Sequence, residues 1–160
     1  MNISEREKKF LERAIELSRQ GMLEGNGGPF GCIIVMGDEI VGEGFNMVTS
    51  THDPTAHAEV VAIREACKKL GDHQLVGCEV YTSTEPCPMC LGAIYWARPE
   101  RVIYANTREE AAAIGFDDEL IYQEIETDFA ARQIPFIHYP HLMAKQVFEA
   151  WKNWEGKKIY

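Results

Sequence analysis

Apolar residues recur along this chain at two periods, and the changes from one to the other mark its elements. Ser4-Glu5-Arg6-Glu7 has the spacing of a capping box, a hydroxyl and a carboxylate three residues apart that satisfy helix-end N–H groups. Phe10, Leu11, Ala14, Ile15 and Leu17 follow at helical spacing and give that helix one apolar face. Gly25, Gly27 and Gly28 interrupt the pattern and predict a loop. Phe30 to Met36 then reads as a buried strand, and Gly37-Asp38 turns it into Glu39 to Phe45, which predicts a hairpin. Asp53-Pro54 has the form of a helix start, with Asp as N-cap and Pro in the first turn. That helix carries Ala58, Val61, Ala62 and Ala66 and stops near Gly71.

Further on, Glu79 to Ser83 predicts a strand, Pro88 to Ala97 a helix and Arg101 to Ala105 another strand. Glu109 to Ala113 and Glu119 to Ile125 are short helical pieces. Pro135 to Tyr139 predicts a last strand, and Leu142 to Trp154 a helix with Val147, Ala150, Trp151 and Trp154 on one side. A hairpin followed by strand–helix alternation predicts an α/β fold. The expected form is a three-layer α/β/α sandwich around a central mixed five-stranded sheet.

Composition changes this picture little. A chain of 160 residues, 46% hydrophobic and 26% charged, fits one domain with a single core. The longest apolar run, around Cys32 to Met36, is far too short to span a bilayer. Glu5, Arg6, Glu7, Lys8 and Lys9 put charge where a signal peptide would be apolar, so a cytoplasmic location is expected. The net charge of −9 disfavours a large polyanionic partner, because phosphate contacts need Lys and Arg. Arg64, Lys68, Lys69, Arg98 and Arg101 are the only hints of a cationic stripe, and they read as solvated helix faces.

The cysteines change it more. Cys32, Cys67 and Cys78 lie in apolar, regular segments and read as small core hydrophobes. Cys87 and Cys90, in "TEPCPMC", are different: the pair is either a redox dithiol or one edge of a metal site. Upstream, "PTAHAEV" holds His57 and Glu59. His57, Cys87 and Cys90 make three ligands, and three ligands plus water is the pattern of a catalytic zinc. Two thiolates and a neutral imidazole also balance the 2+ charge, and water bound to such an ion becomes acidic.

The spacing suits this chemistry. Cys87 and Cys90 are i and i+3, so they share one face of a helix beginning near Pro88. At that end, backbone N–H groups and the macrodipole favour thiolates. His57 and Glu59 are i and i+2 and converge only near a helix end. Glu59 beside a metal-bound water can take its proton and pass it to a leaving group. A dithiol, or a structural zinc completed by His52 or Asp53, are the alternatives at this stage. His52, His73, His138 and His141 read as surface or satisfied histidines.

His57-Ala58-Glu59 with Pro86-Cys87-Pro88-Met89-Cys90 is the signature H-x-E with P-C-x-x-C of zinc deaminases. The stretches "GPFGCIIV", "VGEGFNMVTSTHDPTAHAEVVAIREA" and "YTSTEPCPMCLGAIYWARPERVIYA" resemble the cytidine deaminase-like superfamily, in its purine branch. "AIGFDDELIYQEI" and "AWKNWEGKKIY" extend the resemblance over essentially the whole chain. It implies one Zn2+ per subunit and hydrolysis of guanine to xanthine and ammonia. Water adds at C2, and Glu59 carries one proton to the ring nitrogen and then protonates the departing amine. Backbone N–H groups near Ala58 and Cys87 brace the tetrahedral centre. Asn46 holds the base, Phe30 and Trp96 flank its ring, and Asp118 contacts its amino group, with Asp117 as the other choice. The resemblance also implies a homodimer in which the segment of about 141–160 crosses to the partner, with Tyr160 capping its pocket. A tRNA adenosine or another aminated ring such as cytosine are the alternative substrates.

Overall fold

The computed structural model describes residues 3–159. The chain forms one unit through Leu120 and a second from Ile121. In the first, α1 (Glu5–Leu23) opens on the expected capping box: the Ser4 hydroxyl accepts from the Glu7 N–H, and the Glu7 carboxylate accepts from the Ser4 N–H. Strands β1 (Gly31–Met36), β2 (Glu39–Phe45), β3 (Cys78–Thr84) and β4 (Arg101–Asn106) form one sheet in the order β2-β1-β3-β4. β1 is antiparallel to both neighbours and β3 is parallel to β4, so the sheet is mixed.

Helices cover both faces of this sheet. Ile33 and Val35 of β1, with Tyr81 of β3, pack against Ala14 and Leu17 of α1. Cys32 and Ile34, with Cys78 and Val80, point the other way and meet Ala58, Ala62 and Ala66 of α3 (Ala58–Leu70), which follows the short helix α2 (Val48–Thr51). Because β1 is buried on both faces, it reads as a continuous apolar run rather than an alternation. Its cysteine, like Cys78, is a buried free thiol, and Cys67 packs beside them.

The seam between α3 and β2 fixes where α3 begins. A Cβ on Gly44 would lie 2.5 Å from the Ala58 carbonyl oxygen, and one on Gly42 2.4 Å from that of Ala62. Glycine on the strand and alanine on the helix let the two backbones approach until no side chain fits between them. α4 (Pro88–Ala97) follows β3 directly and leads to β4. Its sequence, PMCLGAIYWA, contains no charged residue.

Two expectations need correction. The sheet has four strands, not five, among the described residues. Residues 135–139 have no ladder partner there: Pro135 lacks an N–H to donate, and Pro140 closes the segment. Asp53 does not cap α3. Its carboxylate accepts from the Thr55 N–H (2.8 Å) and hydroxyl (2.7 Å), which turns the chain before the helix, and His57 is the N-cap.

After α5 (Arg108–Ala113), α6 (Glu119–Glu126) crosses from the first unit to the second. The second unit continues with a single 3-10 turn (Phe129–Ala131) and α7 (Leu142–Asn153). There the Arg132 guanidinium lies over the rings of Phe129 (4.3 Å) and Phe136 (5.0 Å). No residue of α7 is buried. Among the described residues no helix is long and apolar enough to cross a membrane.

A charged cluster ties α1 to the sheet at the end away from α3's first turn. Glu79 of β3 accepts from Arg6 of α1 (2.7 Å), from Arg101 of β4 (2.7 Å) and from the Tyr81 hydroxyl (2.8 Å). Arg101 also pairs with Glu7 (2.6 Å). Burial alone would raise the Glu79 carboxyl, but the hydrogen bonds from Arg6, Arg101 and Tyr81 outweigh it and hold it down to about 2. A depressed carboxylate stabilises the fold fully above its unfolded value, and the benefit is lost as pH falls toward its folded value. Glu79→Gln is therefore expected to cost about 3 kcal/mol at neutral pH. It should also flatten the loss of stability between about pH 5 and pH 2. Urea melts of both proteins across that range check this; parallel pH profiles would contradict it.

Candidate active site

Two helix N-termini converge beyond the end of β3. His57 is the N-cap of α3 and Cys87 the N-cap of α4, both with extended backbone (φ −70°, ψ 154° and φ −62°, ψ 168°). An N-cap leaves the helical spiral, so its side chain can reach across the helix end. Pro88 occupies the first turn of α4, where its missing N–H costs nothing and its ring presets φ. Cys90 lies one turn further and is fully buried.

These three residues meet. His57 Nδ1 is 3.5 Å from the sulfur of Cys87 and 3.5 Å from that of Cys90. All three ligand atoms lie within 4.8 Å of one another, and this is the group of metal-ligating residues found among the described residues. Around a tetrahedral zinc with bonds of about 2.3 Å to sulfur and about 2.0 Å to nitrogen, S and N would stand roughly 3.5 Å apart. The observed spacing and the donor set both fit. Asp53, offered by the sequence as a fourth ligand, is occupied by Thr55, and His52 ends α2 in a left-handed conformation (φ 56°).

Electrostatics divides the two thiols. Cys87 is drawn down to about 4, by the hydrogen bond from the Cys90 thiol and then by His57. Cys90 is pushed well up by its bond to Cys87, by burial and by the charge of Glu59. His57 is raised by its contact with Cys87.

Glu59, only 6% exposed, stands beside the cup. Its Oε1 accepts from the Thr82 hydroxyl (3.2 Å), and its Oε2 accepts from the Cys90 thiol (3.3 Å). Burial raises its carboxyl, which suits a group that must gain and lose a proton. Ala58, between His57 and Glu59, is fully buried at the first position of α3, where the backbone N–H has no acceptor within the helix.

A loop closes the neighbouring side. The Asn46 Oδ1 accepts from the N–H groups of Gly28 (3.3 Å) and Val48 (3.2 Å), and the Asn46 N–H donates to the Phe30 carbonyl (3.0 Å). Two donors on Oδ1 assign the amide's orientation and leave Nδ2 to donate elsewhere. A Cβ on Gly27 would lie 2.1 Å from that Oδ1, so only glycine fits. The Phe30 ring meets Phe116 edge-on, with centroids 4.8 Å apart at 89°. Asp117 is exposed and accepts from the Glu119 N–H (2.9 Å), as a turn residue does. Asp118 is partly buried, and its carboxyl is raised by that burial and by the charge of Cys87. Trp96 stands near the C-terminal end of α4, 65% exposed. Tyr160 lies outside the described residues.

Sequence reasoning missed Thr82 and Phe116. The signal for Thr82 was the hydroxyl run Thr82-Ser83-Thr84 ending a strand otherwise buried among apolar residues. Phe116 carried no signal, because it precedes the two aspartates in an irregular stretch.

Comparison with known proteins accords with this geometry. The family pattern described as the cytidine and deoxycytidylate deaminase zinc-binding region matches residues 4–106, which contain His57, Glu59, Cys87 and Cys90. The chain belongs to this zinc-binding deaminase family. It is 54% identical over 151 residues to guanine deaminase of Bacillus subtilis (strain 168), covering 94% of this chain and 97% of that one. The X-ray structure of a Bacillus subtilis guanine deaminase superposes with a TM-score of 0.94 at 52% identity, over 100% of this chain and 99% of the other. Within the same deaminase family, a tRNA-specific adenosine deaminase of Aquifex aeolicus is 43% identical over 96 residues, 60% of this chain and 63% of that one.

A metal must displace the proton of Cys90 on binding, because only thiolates ligate. Zinc affinity of the stripped protein is therefore expected to weaken about tenfold or more per unit as pH is lowered from about 8 to about 6. Chelator competition across that range checks it; a pH-independent affinity would count against the site.

Proposed function

We propose that this chain is a zinc-dependent guanine deaminase, hydrolysing guanine to xanthine and ammonia. The observation that carries the reading is the 54% identity to a guanine deaminase across nearly the full length of both chains. That match covers 94% of this chain, against 60% for the tRNA-specific adenosine deaminase of Aquifex aeolicus. The protein's charge agrees with a small substrate. Its net charge is −9, and three of the cations that hinted at a nucleic-acid stripe are paired: Arg64 with Asp53, Lys69 with Glu39, and Arg101 with Glu79 and Glu7. Neither a tRNA adenosine nor cytosine is favoured.

In this reading His57, Cys87 and Cys90 hold one zinc ion. Zinc, when bound, supplies Lewis acidity that makes water a nucleophile near neutral pH. Glu59 takes a proton from the water as its oxygen bonds to C2 and delivers that proton to the ring nitrogen. As the C2–N bond breaks, the carboxylate takes the second proton from the hydroxyl now on C2 and delivers it to the amine, which leaves as ammonia while C2 becomes a carbonyl. The raised carboxyl and its buried, two-point support suit both halves of this transfer. In this reading the N–H groups of Ala58, the first residue of α3, and of Cys87, the N-cap of α4, brace developing negative charge. Asn46 Nδ2 donates to the purine edge, Phe30 walls the ring, and Asp118 accepts from the exocyclic amine.

We also infer a cytoplasmic homodimer in which the segment of about 141–160 packs on the partner and Tyr160 caps its pocket. Two features support it. The second unit has exposed Phe129, Ile134, Ile137, Tyr139, Val147, Phe148 and Ile159 and no core of its own large enough to hold them. α4, apolar all round, leaves Leu91, Tyr95 and Trp96 exposed, and a helix of that composition belongs under cover.

Purified protein should release ammonia from guanine and not from cytosine, adenine or a tRNA bearing an anticodon adenosine; no release from guanine would refute the reading. Glu59→Gln should keep its zinc and lose about 10²–10⁴ in kcat; full rate in that variant would remove the proposed proton carrier. Deletion of Lys157 to Tyr160 should impair guanine turnover while light scattering still reports a dimer. Unchanged kinetics would refute the capping role, and a monomeric full-length chain the dimer.

A further inference from the structure

The positions of β3 that face α3 are Cys78, Val80 and Thr82, and the first two are core residues of that layer. The pattern calls for a third apolar side chain, and valine has the shape for it. The chain places a hydroxyl there instead, with Thr82 only 1% exposed. A buried hydroxyl is costly unless it is hydrogen-bonded, so its partners show what it is for.

Two acceptors face it. The Glu59 Oε1 is 3.2 Å away and the Gly31 carbonyl oxygen 3.4 Å away. The hydroxyl has one proton, and a carboxylate is the stronger and here the nearer acceptor. The terminal torsion of a glutamate is soft, so without such a tether its oxygens have no fixed order. With Oε1 held by Thr82, Oε2 is the oxygen left on the Cys90 side, toward the cup. Thr82 itself does not wander: its strand is paired on both sides, with Cys32 opposite on β1 and Tyr104 on β4.

We propose that Thr82 is a positioning residue, whose hydroxyl holds the Glu59 carboxyl so that one defined oxygen faces the water and the base. The choice of hydroxyl also suits a group that alternates between two forms. It donates to the carboxylate. Once Glu59 carries a proton, the hydroxyl can accept from it and turn its own hydrogen to the Gly31 carbonyl. Thr82 touches neither metal nor base and acts through Glu59 alone. The proposal rests on Glu59 being the proton carrier.

The test compares Thr82→Val, which keeps shape and loses the hydroxyl, with Thr82→Ser, which keeps the hydroxyl. Zinc content and melting temperature are measured first, then kcat and KM for guanine. A separate readout needs no turnover: the carboxyl stretching band of Glu59 in metal-free, ¹³C-glutamate-labelled protein, identified by subtracting the spectrum of Glu59→Gln. Thr82→Val is expected to bind zinc normally, keep KM within about twofold and lose about tenfold or more in kcat. Its Glu59 band should shift, and Thr82→Ser should restore both rate and band position.

If Thr82→Val does not fold, Thr82→Ala against Thr82→Ser makes the same comparison, since both lack the methyl and differ only in the hydroxyl. A hydroxyl-free variant with wild-type kcat and an unmoved band overturns the proposal. So does a serine variant as slow as the hydroxyl-free one. A wild-type protein inert toward guanine would instead refute the deaminase reading, and the infrared comparison would still decide whether Thr82 holds Glu59.

Discussion

Everything at this site depends on bringing two helix N-termini close enough for one imidazole nitrogen to touch two sulfurs. Each terminus has unsatisfied N–H groups and the positive end of a helix dipole. Alone, either could stabilise one negative group. Facing each other, they gather a histidine, two cysteines and a carboxylate, with Cys90 and Glu59 buried and His57 and Cys87 partly exposed. The rest of the first unit serves this arrangement. The glycine–alanine seam sets α3 against β2, and β3 runs straight into α4, so neither helix can slide without breaking the core.

Much of this was legible in the sequence, for identifiable reasons. Capping boxes, buried apolar runs and Cys-x-x-Cys spacing are local signals, and local signals survive folding: α1, the hairpin and α4 formed where the pattern put them. Asp53-Pro54 misled because Asp caps turns as readily as helices, and Thr55 offered it two donors two residues on. The expected fifth strand failed for a different reason. Strand propensity describes one segment, but a strand needs a neighbour, and residues 135–139 find none among the described residues. Phe116 was illegible because its meaning lies in Phe30, far away in sequence, and the hydroxyl run at Thr82 gave no sign that its partner would be Glu59.

The two charged clusters of the first unit show opposite uses of burial. At Glu79, arginines and a tyrosine satisfy the carboxylate so fully that it stays ionised into strong acid, and the group works as a clasp between α1 and the sheet. At Glu59, burial comes without an arginine and raises the carboxyl. The same side chain is a fastener where arginines accompany it and is free for the role proposed for Glu59 where none does.

Gly27 has a further consequence. It has no side chain to offer a ligand, yet a single added carbon would strike the Asn46 oxygen. Any replacement there would rotate the amide or push it out, and the Nδ2 donor with it. In the proposed reading, selectivity for the ring is thus partly written in an empty space. A residue scan that looks for contacts with the base would pass over Gly27, although it sets the amide proposed to make one of them.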